Sequence, residues 1–217
     1  VETVLAIAGC GPRLEIALAA AGMPAPALAA LAGPTPRSEL VVAAIDLLLR
    51  GAGIAPKRLS AVVATRGPGS FTGIRVALAT AQGLARAAGA AAHGFSSLAA
   101  QAARTAVRPC VAAQPARRGE AYVQRFDAGG AVGEPAVAAL AELAWSALPV
   151  VAPPGLLLPE ETPLAPATRT VAEALLALAA AAGTLDPETL VPIYVEHAPA
   201  DSGAERGTGW LRSRRAS

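Results

Sequence analysis

The sequence predicts an α/β fold with mixed sheets flanked by helices, on three observations. Apolar segments at 3–7, 14–19 and 27–32 follow one another across turn residues, the pattern of consecutive hairpin-linked strands. Beyond residue 38, helix-length apolar stretches alternate with short apolar runs, as strand–helix–strand units require. Between a strand at 61–65 and a helix at 73–88 lies Arg66-Gly67-Pro68-Gly69-Ser70-Phe71-Thr72-Gly73-Ile74-Arg75, a tight glycine turn that leads into a helix start.

The elements follow in order. Gly9–Pro12 turns the first strand into the second, and the proline-rich stretch 24–26 precedes the third. Gly33 to Pro36 then punctuates the chain, and Ser38 is placed to cap a helix over Glu39–Leu49, ended by Gly51 or Gly53. After the glycine turn, with Ser70 or Thr72 as its cap, come a strand at Ala90–Phe95 and a helix at Leu98–Thr105. A second unit is expected from Val107: strands at 107–113 and 121–126, a short helix around 138–147, a proline-rich loop over 149–166, a helix at 170–182 and a last strand at 190–195. The boundaries predicted are 1–106 for an N-terminal lobe, 107–197 for a smaller lobe, and 198–217 for a polar tail with Arg206, Arg212, Arg214 and Arg215, read as disordered.

A strand, glycine turn and helix N-terminus together present free N–H groups and a positive dipole end, suited to an anion or a docked backbone. An ATP-binding P-loop needs Lys-Ser/Thr where Ile74 and Arg75 stand, and the dinucleotide pattern needs its third glycine one residue earlier than Gly73. A plain strand-to-helix turn remains the alternative. Arg66 and Arg75 bracket the loop and could accept an anion or a partner's carboxylate.

The wording of this loop, continued by Thr80-Ala81-Gln82-Gly83-Leu84-Ala85, resembles the TsaB (YeaZ) family, the dimerisation subunits of the bacterial machinery that makes threonylcarbamoyladenosine in tRNA. Val4-Leu5-Ala6-Ile7, Gly94-Phe95-Ser96-Ser97-Leu98, Ala116-Arg117-Arg118-Gly119-Glu120-Ala121-Tyr122 and Pro192-Ile193-Tyr194-Val195 resemble further family signatures in the expected order. The resemblance implies a two-lobed actin-like ATPase (ASKHA, ribonuclease H-like) fold and a non-catalytic role. It implies docking on a catalytic TsaD-type relative, a TsaE-type accessory ATPase, self-pairing when alone, tRNA met only through the complex, and a cytoplasmic setting. It implies no cofactor of the chain's own, and leaves room for a nucleotide shared at the interface of the complex.

Two helices are the expected docking surface. The helix at 39–49 is apolar on nearly every side, interrupted only by Asp46, so it requires burial on two sides, either within one domain or between two chains, and the resemblance implies the second. The residues assigned to a partner interface are Leu40, Val41, Ala44, Ile45 and Leu48 on this helix, with Ile74, Ala77, Leu78 and Ala81 on the next. The glycine loop, Arg66 to Gly73 with Arg75, completes the site.

Reactive groups are scarce. The actin-like folds carry a metal-orienting Asp in the first hairpin, where Ala8 stands in Ile7-Ala8-Gly9-Cys10-Gly11, and an Ala side chain cannot hold a metal's oxygen shell. The relative's His-x-x-x-His metal pair has no counterpart, since His93 and His197 are far apart, and neither they nor Cys10 and Cys110 have a metal-type spacing. Gly94 to Leu98 lacks the closing glycine of a nucleophile elbow. Glu160-Glu161 reads as solvated, and Glu120 and Tyr122 as hairpin flanks. The stretch Arg37-Ser38-Glu39 lacks the histidine that the resembling family places before its serine. Catalytic and metal residues are therefore expected to be none. The competing readings are an actin-like small-molecule kinase or ATPase and a glycoprotease-like metallopeptidase.

With a net charge of +2 and Lys57 as the sole lysine, no broad basic surface for nucleic acid is expected. Apolar runs break well before the roughly 18 residues a membrane span needs, so no membrane role is expected. Ile7-Ala8-Gly9-Cys10 mimics a lipoprotein signal without its basic start.

Overall fold

The computed structural model describes residues 2–33, 35–144, 146–195 and Leu211. Its first sheet holds β1 (Val4–Ala8), β2 (Leu14–Ala19), β3 (Ala27–Leu31), β4 (Ala61–Thr65) and β5 (Ala91–Phe95) in the order β3-β2-β1-β4-β5. β1, β2 and β3 pair antiparallel, whereas β4 and β5 join parallel. This is a ribonuclease H-like order, the fold that the family resemblance implies.

Strand alternation sorts the residues by size. Leu5, Ile7, Leu14, Ile16, Leu18 and Val62 belong to the core under α1 (Arg37–Gly51) and α2 (Phe71–Ala88). Ala6, Ala8 and Ala17, with Val63, form the opposite face, where α5 (Val171–Ala181) and α3 (Ser97–Ala102) pack. Period-two alternation thus builds a bulky face for two helices and an alanine floor on which α5 lies. Thr170 caps α5 in a reciprocal box with Glu173.

The second sheet holds β6 (Cys110–Pro115), β7 (Glu120–Asp127), β8 (Gly130–Ala139) and β9 (Val150–Val151) in the order β8-β7-β6-β9. Between β8 and β9 lies the short α4 (Leu140–Leu143). Val111, Ala113, Val123 and Leu143 form one core of this lobe, and Cys110, Ala112, Phe126 and Val151 another. Arg104, beside α3, is 7 % exposed and reaches the carbonyls of Arg169 and Ala152 and the amide oxygen of Gln101.

Several expectations are corrected. The helix at 170–182 was assigned to the second lobe, yet α5 packs on the first sheet, because the alanine face of β1 and β2 needs a cover. No strand forms at 190–195; those residues run as a strap after a 3₁₀ turn at Pro187–Thr189. Pro192 carries no N–H, and a single backbone rung, Ile193 N–H to the Arg66 carbonyl (2.7 Å), fixes the strap. β8 and β9 were not foreseen, and the helix around 138–147 shrinks to α4. Ser38 lies inside α1, whose cap position is Pro36 with no side-chain bond. The 198–217 tail and His197 lie outside the described residues except Leu211, which is 1 % exposed within the second lobe's core.

Candidate functional site

The glycine loop connects β4 to α2, and its backbone is taken up by the chain's own segments. Ser97 donates its N–H to the Gly67 carbonyl and its hydroxyl to the Pro68 carbonyl. Ser70 N–H bonds the Cys10 carbonyl at 3.0 Å, and its hydroxyl accepts the Gly73 N–H at 3.2 Å as the α2 cap. A Cβ on Gly73 would collide with the Gly9 carbonyl, and one on Gly67 with the carbonyl of Ile193. These glycines therefore let the β1–β2 turn and the strap lie directly on the loop. The inner part, Gly67, Pro68 and Gly69, is a clasp within the chain, and the anion-cradle expectation does not describe it. Ser70, Phe71, Thr72 and Arg75 face outward, and Arg66 lies half-buried against Thr189, with its Nε unpaired.

Cys10 sits behind the loop. Burial pushes its thiol up to about 11, against smaller opposing effects of the Thr65 and Ser97 hydroxyls and the Gly67 backbone. A thiol held protonated is a poor nucleophile.

Between the lobes, Ala8, Cys10, Thr65, Gln114, Pro153, Pro154 and Val171 line a cleft with a cavity volume of about 10 Å³, room for one water. Glu15 also lines it, and its carboxylate accepts the Val171 and Ala172 N–H groups at 2.7 and 3.3 Å. The positive end of α5 thus already holds an anion from this chain. Among the described residues no group of three His, Cys, Asp or Glu side chains could hold a metal ion. Nor is any described helix long and apolar enough to cross a membrane.

The two helices beside the loop divide the predicted interface residues. Val41, Ala44, Ile45, Leu48, Ile74, Ala77, Leu78 and Ala81 are buried in the first lobe's own core. They are not available to a partner, because the bulky sheet face claims them. Leu40 alone among the nine is exposed. The outward side of α1 carries Val42 and Leu47, 62 % and 69 % exposed. On α2 the exposed row is Phe71, Arg75, Ala79, Gly83 and Ala87, spaced four apart along one ridge. Glu39, Asp46 and Arg50, all exposed, mark the outward phase of α1 and could have located Val42 and Leu47 beforehand. Arg37 bonds the Gly11 carbonyl at 2.9 Å and the Pro12 carbonyl, so it serves the β1–β2 turn.

The architecture defines an α/β protein of ribonuclease H-like topology, with a closed cleft and an outer layer of two helices. The family described as TsaD, tRNA N6-adenosine threonylcarbamoyltransferase, matches residues 36–155, more than half of the chain. The chain belongs to this family, and within it to the TsaB (YeaZ) proteins. It is similar to the structure of YeaZ from Pseudomonas aeruginosa at 27 % identity and a TM-score of 0.70, over 90 % of this chain and all of that one. A second structure, of a protein with similarity to peptidase YeaZ from the same organism, matches at 25 % identity with the same TM-score, over the same shares of the two chains. An uncharacterized protein of Mycobacterium leprae is 43 % identical over 89 residues, covering 41 % of this chain. The chain spans about a quarter of that curated relative's length, 24 % being aligned.

Proposed function

We propose that this chain is a non-catalytic partner subunit in threonylcarbamoyladenosine formation in tRNA, docking on a TsaD-type catalytic relative through the outward faces of α1 and α2. The relative would transfer threonylcarbamoyl from its adenylate to N6 of the adenosine beside the anticodon, in tRNAs reading codons that begin with A. A TsaE-type ATPase would join the pair, tRNA would be met only through the complex, and the chain would pair with itself when alone. The setting would be cytoplasmic, and any nucleotide would be shared at the interface of the complex.

One observation carries this reading. The outer layer leaves Val42 and Leu47 largely exposed on α1, beside a ridge on α2 reduced to Ala79, Gly83 and Ala87. Large exposed aliphatics next to a helix surface pared to small side chains suit a second helix pair laid close against them. The cleft favours the same reading over a kinase or ATPase, since Ala8 stands where those folds carry a metal-orienting carboxylate. The test is sedimentation of the full chain alone and with the catalytic relative. Self-pairing that gives way to a mixed pair, and loss of both in Leu47→Glu, is the expected result. A monomer that ignores the folded relative overturns the proposal.

A further inference from the structure

The sequence holds only three Phe, two Trp and two Tyr, yet Phe71 and Tyr194 are 55 % and 54 % exposed and in contact. Their ring centroids lie 6.0 Å apart at an interplanar angle of 32°. On Phe71 rests the Arg75 guanidinium, 3.8 Å from the ring centroid. Phe71 and Arg75 lie one turn apart on α2, whereas Tyr194 arrives from the far end of the described chain. The strap delivers it: Thr189 accepts the Gly94 N–H on its hydroxyl and an Arg66 N–H on its carbonyl, and Ile193 N–H bonds the Arg66 carbonyl. Arg75 makes no ion pair with any described carboxylate, and the ion pair among the described residues joins Asp46 to Arg50.

We infer that Phe71, Arg75 and Tyr194 form a composite anchor for a carboxylate-bearing segment of the partner protein, so that the strap, and not only the helices, takes part in docking. The inference rests on the subunit reading above and adds the residues and chemistry of one end of that surface. Three facts argue for it. Exposed aromatic and arginine side chains packed together are the residue types that dominate protein interfaces. The Phe71 face packs against the guanidinium, 3.8 Å from the ring centroid, which restrains it and lowers the entropy lost when its N–H fork meets a planar carboxylate. The anchor stands at the head of the Phe71–Arg75–Ala79–Gly83–Ala87 ridge, so a helix lying on the small residues would run its end onto the rings.

The test measures affinity of the full chain for the catalytic relative by calorimetry, with Tyr194→Ala, Arg75→Met and Leu47→Glu compared with the parent. Tyr194→Ala and Arg75→Met are each expected to weaken binding at least tenfold, and Arg75→Met to flatten its salt dependence as well. Thermal melts check that each variant is folded, and Arg75→Met leaves the strap intact should Tyr194→Ala loosen it. If Leu47→Glu abolishes binding while both anchor variants bind like the parent, this inference fails and the subunit reading stands. If the parent itself does not bind the folded relative, both fall.

Discussion

Gly83 is the sharpest place to test the reasoning about the outer helix layer. It sits within α2, where glycine costs about 0.5–1 kcal/mol relative to alanine. Nothing lies within 4 Å of a Cβ built there, and its φ is not in the left-handed region. No internal contact therefore explains the residue, in contrast to Gly73, which is pressed against Gly9. Gly83→Ala should stabilise the isolated chain by up to about 1 kcal/mol, a rise of about 2–4 °C in melting temperature for a protein of this size. Gly83→Leu should be as tolerable to the monomer, because leucine is a good helix former and its side chain enters open space. In association the two part company. The methyl of alanine asks for a small shift, whereas leucine holds a facing helix away from the Ala79–Gly83–Ala87 ridge and costs at least about 1.4 kcal/mol, tenfold in affinity. Differential scanning calorimetry reads the first quantity and sedimentation equilibrium the second. A Gly83→Ala chain that is less stable than the parent, or a Gly83→Leu chain that pairs as tightly as the parent, would show that the ridge is not an open docking face.

Three further outcomes follow from the packing and titration. Arg104→Met should destabilise the fold by several kcal/mol in urea unfolding, since it orphans the Arg169 and Ala152 carbonyls at about 1–3 kcal/mol each. Leu211→Ala should cost about 2–5 kcal/mol, the range for truncating a fully buried leucine, and a neutral result would remove Leu211 from the second lobe's core. His93 Nδ1 accepts the Asp186 N–H at 3.0 Å, and its pKa is lowered chiefly by burial, with Arg66 adding to that and Asp186 opposing it. A histidine whose folded pKa lies below its unfolded value stabilises fully above the unfolded value of about 6.5, and this is lost as pH falls toward the folded value. The protection factor of the Asp186 amide, its exchange rate relative to the intrinsic rate at each pH, should therefore fall on moving from about pH 7.5 to about pH 5.5, and an unchanged protection factor would exclude the bond.

The first sheet was legible because its signals are local. Short aliphatic runs, glycine punctuation and a serine before a helical period placed β1, β2, β4 and α2 within a few residues. The second lobe resisted for an equally physical reason. β8 contains Gly133, with φ of +70°, and Pro135, residues that argue against a strand unless it lies at a sheet edge with a bulge. It does both, and the register shifts opposite Val123 and Arg125. The return of α5 to the first sheet was equally hidden, because only the tertiary structure reveals that Ala6, Ala8 and Ala17 form a floor awaiting a helix.

The same distinction explains why eight of the nine expected interface residues lie buried in the first lobe's own core. A helix apolar all round announces two covered sides without saying which residues belong to which. The sheet decides, and it takes the residues in phase with Val41, Ile45 and Leu48 because α1 packs on β2 and β3, whose Leu14, Ile16 and Leu18 belong to the same core. What is left over is defined by subtraction: Leu40, Val42 and Leu47 on α1, and the small-residue ridge on α2. The glycine loop yields to similar reasoning. Each close approach its glycines permit is filled by the chain itself, so the loop's capacity for recognition moves outward to Phe71 and Arg75. Inside the chain, the Cys10 thiol is kept protonated by burial and the N-terminus of α5 is taken up by Glu15. The free energy this molecule leaves uncollected lies on its outer helices, and that is where its function must be sought.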